Sequence, residues 1–140
     1  MNARSKVSLM NSTECPCGSG KTFQGCCGLY IPGKQSAPTA EALMRSRYTA
    51  YVLKNVDYLV NTTLPASREP DLADDIRSWM NQVTWQKLHV LQVEAGGRSD
   101  TEGTVKFIAE FVGPHGDDRH HERSQFKKFR GTWYYVEALQ

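Results

Sequence analysis

Cys15, Cys17, Cys26 and Cys27 are the only cysteines of this 140-residue chain, and they fall in the pattern C-x-C-x8-C-C. Thiolates this close together suit Zn2+, which prefers four S or N donors in a tetrahedron and, once all four are filled, keeps no position for a reacting water. Gly18 and Gly20 permit the positive φ of a tight metal loop, Pro16 restrains the unfolded chain, and Lys21 offsets part of the thiolates' negative charge. So short a segment has almost no core of its own, and in comparable peptides the metal supplies on the order of 10–16 kcal/mol of folding energy. Fe also accepts thiolates, so the residues leave Zn and Fe both open.

Other chemistries fit these residues less well. A Cys15–Cys17 or Cys26–Cys27 disulfide would close a small, strained ring, and no C-x-x-C redox pair is present. Gly18-Ser19-Gly20-Lys21-Thr22 imitates the end of the phosphate loop G-x-x-x-x-G-K-[ST], but the first glycine of that pattern falls on Cys15 and no strand precedes it. A reduced, metal-free cluster is the plainer alternative.

The elements that must position the cysteines, and whatever lies beyond them, are read from charge and periodicity. Net charge is +2, which gives no polyanion or nucleic-acid signature, although Arg4, Lys6, Lys21 and Lys34 face only Glu14 in the first 34 residues. A four-thiolate Zn2+ site, formally about −2, would cancel most of that local excess. No apolar run approaches the roughly 18 residues that span a bilayer, and Met1 to Thr13 lack the apolar segment of a secretory leader. Unpaired thiols without a leader point to a cytoplasmic protein with no membrane insertion.

Residues 1–13 read as a mobile arm, 14–28 as the metal knuckle and 29–38 as a connector broken by Pro32, Gly33 and Pro38. From Thr39, an N-cap with Glu41 in the first turn, one helix is expected as far as Leu64-Pro65. It carries Met44, Tyr48, Tyr51, Val52, Asn55, Tyr58 and Leu59 on its inner stripe and Ser46, Ala50, Lys54 and Asp57 on the opposite side. A second helix follows Pro70 and directs Leu72, Ile76, Trp79 and Met80 inward, ending near Gln82. The period then becomes two, predicting strands over 85–94, 104–112, 120–129 and 132–138, the last pair joined at Arg130-Gly131. That order makes residues 39–140 an α+β domain, with helices packed on one face of a curved antiparallel sheet.

Tyr-rich helices over such a sheet can enclose a pocket, which the sequence lines with Arg47, Tyr48, Tyr51, Trp85, Glu122 and Ser124. A carboxyl in an apolar cup has a raised pKa and serves as a base. The plainer account, which the sequence favours, makes the aromatics core and joins Glu122 to Arg47 as a buried pair. Glu110 is a second acid on the neighbouring strand, His115 and His120 read as solvated, and His89 has no evident partner. His121-Glu122 begins a zinc-protease pattern H-E-x-x-H, but the second histidine's place holds Gln125 and the segment reads as strand.

CPCGSGKTFQGCCG resembles the SEC-C motif, the metal-binding tail of the bacterial translocation ATPase SecA and of several small bacterial proteins. The resemblance implies that Cys15, Cys17, Cys26 and Cys27 are the ligands, with Cys27 where SecA-type tails usually carry His. The segments Thr39 to Tyr51, His121 to Ser124 with Phe126, and Gly131 to Val136 resemble the YchJ-like family of bacterial proteins. That likeness runs from residue 14 to 138 and implies a nuclear transport factor 2-like cone beside the knuckle. On other proteins such knuckles engage partners including the SecB chaperone and the ribosome. The expectation is therefore a non-catalytic module whose zinc knuckle engages a protein or ribosomal partner, with a small-molecule ligand or an enzymatic pocket as the alternative.

Overall fold

In the computed structural model, which describes residues 12–139, Thr39 accepts a hydrogen bond from the Ala42 N–H at 3.1 Å and caps helix α1 (Ala40–Val52). The expected arm over 1–13 lies outside the described residues except at its end, where the Thr13 carbonyl accepts from Phe23 N.

The single helix expected to Leu64 is broken. Lys54 takes a φ of 58°, the Lys54 N–H bonds Tyr51 O, and the Asn55 N–H bonds Ala50 O at 2.8 Å. This left-handed closure ends α1. Asn55 then caps helix α2 (Val56–Asn61) by accepting from Tyr58 N. Asn55 is thus a start signal for a new helix, and the polar position in a continuous apolar stripe is resolved by the break.

Helix α3 (Leu72–Gln82) forms where the acidic first turn and the inward Ile76 and Met80 predict it. Strands β1 (Thr84–Ala95), β2 (Glu102–Gly113), β3 (Gly116–Phe129) and β4 (Thr132–Ala138) form one antiparallel sheet in chain order. Register shifts at Trp85/Lys87, Val90/Gln92 and Gln125/Phe126 mark bulges, which bend the sheet around the helices. Pairing of Val105 with Ser124 and of Phe107 with Glu122 puts these residues on the inner face. Beyond β4 the segment after α2 continues the pairing: Tyr135 N donates to Thr62 O and Leu64 N to Tyr135 O.

The side of α1 expected to face outward is also buried, with Ser46 and Ala50 each 0% exposed, as is Thr49 beside them. Ser46 Oγ lies 2.6 Å from Tyr58 Oη, so α2 covers part of that side and the knuckle covers the rest. Cys15, Cys17, Phe23 and Cys27 share one buried cluster with Leu43, Met44, Leu59 and Phe126. No helix among the described residues is long and apolar enough to cross a membrane.

Candidate metal centre and ligand cavity

The knuckle is tied first by its own backbone. Cys15 N donates to Lys21 O at 2.8 Å, Gly18 N to Cys15 O at 3.2 Å and Cys26 N to Phe23 O at 3.0 Å. Gly18 and Gly20 take φ of 77° and 85°, conformations that a side chain would strain. These turns aim every cysteine at one point. The four Sγ atoms lie within 4.8 Å of one another, with Cys17 to Cys26 at 3.6 Å and Cys26 to Cys27 at 4.0 Å. Tetrahedral bonds of about 2.3 Å require sulfurs about 3.8 Å apart, so this donor set fits a single ion. Hydrogen bonding with Cys15 pulls the Cys17 thiol down and pushes the Cys27 thiol up. The four thiols are placed to hold one metal ion.

Outer contacts fasten the cluster to α1. Thr49 Oγ1 donates to Cys27 Sγ at 3.3 Å, and Cys15 Sγ lies 3.8 Å from the same hydroxyl. Arg45 Nη1 donates to Cys17 O at 2.7 Å, while its Nε is held by Glu41. Ser19 Oγ sits 3.1 Å from Cys26 Sγ. Such partners orient ligands and tune the metal.

Across α1 lies a cavity of about 280 Å3, bounded by α1, α3 and the inner face of the sheet. Arg47, Tyr48, Tyr51, Trp85, Glu122 and Ser124 all line it. Trp79, expected only to face inward, His120, expected to be solvated, and Phe107 and Tyr135 also line it and were not among the expected pocket residues. His120 was legible, because alternation places it on the face of Glu122. Trp85 is the hub of the aromatic wall, edge-on to Tyr48 at 6.0 Å, Tyr51 at 5.9 Å and Trp79 at 5.9 Å.

The polar groups depart from the pairing expected of them. Glu122 and Arg47 form no ion pair; Glu122 Oε2 accepts from Ser124 Oγ at 2.5 Å and Tyr135 Oη at 3.0 Å, and Oε1 lies 2.9 Å from His120 Nε2. Burial alone would raise this carboxyl, but the hydrogen bonds from His120, Ser124 and Tyr135 outweigh it and hold the group below its ordinary value. The raised pKa of a general base is therefore absent. Arg47 instead donates to Leu59 O, Thr62 Oγ1 and Thr63 Oγ1, and its guanidinium stands 4.5 Å over the Tyr135 ring. His120, expected to be solvated, is bonded to Glu122 and packs 6.3 Å from Trp79. Glu110 points to the outer face and pairs with His89 at 2.6 Å, which supplies the partner that His89 lacked in the sequence.

Comparison with known proteins gives the chain its relatives. Residues 39–138 match the family profile described as YchJ, middle NTF2-like domain, and residues 13–29 match the SEC-C motif. The chain belongs to the YchJ-like family. Among its YchJ-like relatives is UPF0225 protein GSU1048 of Geobacter sulfurreducens, 42% identical over 124 residues that cover 89% of this chain and 77% of that one. The solution structure of RPA3114, a SEC-C motif containing protein from Rhodopseudomonas palustris, superposes with a TM-score of 0.80 at 48% identity, covering 89% of this chain and 95% of the other. The crystal structure of a SEC-C motif containing protein from Psychrobacter arcticus gives 0.75 at 32% identity, covering 92% and 83%. The α+β architecture of this YchJ-like chain, with an NTF2-like domain and an N-terminal cysteine cluster, agrees with both matches.

Proposed function

We propose that this chain is a non-catalytic binding protein in which one Zn2+, held by Cys15, Cys17, Cys26 and Cys27, fastens α1 as a wall of a small-molecule cavity. The observation that carries the reading is the position of α1, bonded through Thr49 to the thiol cluster on one side and lining the cavity with Arg47, Tyr48 and Tyr51 on the other. A filled thiolate tetrahedron has no open position for a substrate, and redox-inert Zn2+ suffices for holding a helix. A carboxylate already satisfied by protein donors argues for binding in the cavity over acid–base catalysis. Reduced thiols of this kind belong in a reducing compartment, so a cytoplasmic location is part of the reading.

The test is elemental analysis of the purified chain together with Co2+ substitution. About one equivalent of zinc, and thiolate-to-Co2+ absorption that disappears in Cys15→Ser and Cys17→Ser, are expected. Stoichiometric iron would overturn the choice of metal, and no metal at all would overturn the centre.

A second reading is favoured by the exposure of Gly20, Lys21, Gln24 and Gly25 on the outer side of the knuckle. There the metal shapes a surface for a protein or ribosomal partner, of the kind a SecB-like chaperone offers. Capture of one defined partner by the metal-loaded chain, lost in Lys21→Glu with the metal retained, would favour this reading.

A further inference from the structure

Arg47 is the charged group on the cavity wall whose hydrogen-bonding capacity the protein leaves open. The residue is 9% exposed, yet among the described residues no carboxylate approaches it within ion-pair distance. Its bonds to Leu59 O at 2.8 Å, Thr62 Oγ1 at 2.7 Å and Thr63 Oγ1 at 3.4 Å all leave from Nη1. Nε and Nη2 donate to nothing among the described residues. A guanidinium stays charged when buried, and taking it from water without a counter-charge is costly.

Glu122 favours that charge from a distance but makes no hydrogen bond or ion pair with it. Both its oxygens are occupied, by His120, Ser124 and Tyr135, and Tyr135 stands between it and Arg47. Three of the about four acceptor positions of that carboxylate are thereby taken, which leaves little for a cationic ligand. A second donor on the same lining is also unmatched, since Trp85 Nε1 is buried without a partner among the described residues. Two donor groups of the lining, on Arg47 and Trp85, are thus left without an acceptor among the described residues, and the walls are aromatic.

We propose that the cavity binds a small organic carboxylate, its two oxygens taking the Nε and Nη2 donors of Arg47 and its apolar body lying against Tyr51, Trp79 and Trp85. The proposal rests on the small-molecule reading above and deepens it by naming the ligand class. Forked pairing of a carboxylate with a guanidinium edge is the strong, directional form of this contact. A volume of about 280 Å3 lies at the lower end of ligand pockets, roughly 300–1,000 Å3, which restricts the body to a single ring or a short chain.

The test uses the zinc-loaded full chain with benzoate, benzyl alcohol, benzylamine and inorganic phosphate at one pH and ionic strength, read by calorimetry and tryptophan fluorescence. Benzoate is expected to saturate at least about tenfold more tightly than the other three. In Arg47→Lys, benzoate binding should weaken about tenfold while benzyl alcohol binding stays unchanged. Should that variant lose its circular dichroism spectrum, the ranking on the unaltered chain decides alone. Alcohol or amine binding at or above benzoate would overturn the carboxylate while leaving the cavity a binding site. Phosphate matching benzoate would overturn the organic body, and unchanged benzoate affinity in a folded Arg47→Lys would overturn the anchor. No saturable binding by any ring compound would overturn both this inference and the small-molecule reading.

Discussion

Thr49 donates its hydroxyl to Cys27 Sγ across 3.3 Å, which makes one side chain of α1 part of the outer shell of the thiol cluster. Two positions earlier on the same helix, Arg47 lines the cavity. Helical geometry puts these two residues on different sides, so α1 joins the thiol cluster to the cavity.

Thr49→Val keeps the shape of the side chain and removes the donor. Zinc affinity, measured by competition with a chromophoric chelator, should fall on the order of 10–100-fold, and stability should fall by about 1.5–3 kcal/mol. Unchanged affinity would show that the contact does not tune the metal.

Metal removal should be felt on the far side of α1. Chelation is expected to cost on the order of 5 kcal/mol or more of apparent stability and to alter the fluorescence of Trp79 and Trp85. If the stripped protein kept its melting temperature and its emission spectrum, the knuckle and the cavity would be independent.

Glu122 sets a pH dependence whose sign follows from its lowered pKa. A carboxyl held below its unfolded value stabilises the fold at neutral pH; that contribution is full above the unfolded pKa and is lost as pH falls through the folded one. Glu122→Gln should therefore cost about 1–3 kcal/mol near pH 7, and the gap to the unaltered chain should narrow in urea melts run below about pH 4. A gap that widened in acid would mean the carboxyl is held neutral.

Lys54 tests the helix break by the direction of one effect. At φ 58° a β-carbon is unfavourable, so Lys54→Gly should raise stability by about 0.5–1 kcal/mol. In a continuous helix the same change would lower stability by about 1 kcal/mol, so chemical denaturation separates the two.

Features carried by neighbours in sequence were legible in it. Gly18 and Gly20 among the cysteines, the two-residue turn at Arg130-Gly131 and the alternation of Glu122, Ser124 and Phe126 are short-range patterns, and local backbone geometry converts each directly into structure. The break at Lys54 was missed because a lysine occupies a left-handed position that glycine normally marks, although Asn55 followed by Asp57 was a readable helix start. The outer side of α1 was misjudged because small residues such as Ser46 and Ala50 look solvated until a neighbour covers them, and here α2 and the knuckle do so.

By itself the sequence determined the thiol cluster, the run of helices followed by four strands, and the inward face of β3. Residues close in the chain with restricted backbones leave few alternatives. Only the tertiary structure decided that Tyr135 would stand between Arg47 and Glu122, and that the cysteines would face α1. Those relationships depend on how β3 pairs with β4 across a bulge, and on which buried surface the knuckle covers. Such contacts join residues far apart in the chain, where packing and burial choose the partner and local sequence does not.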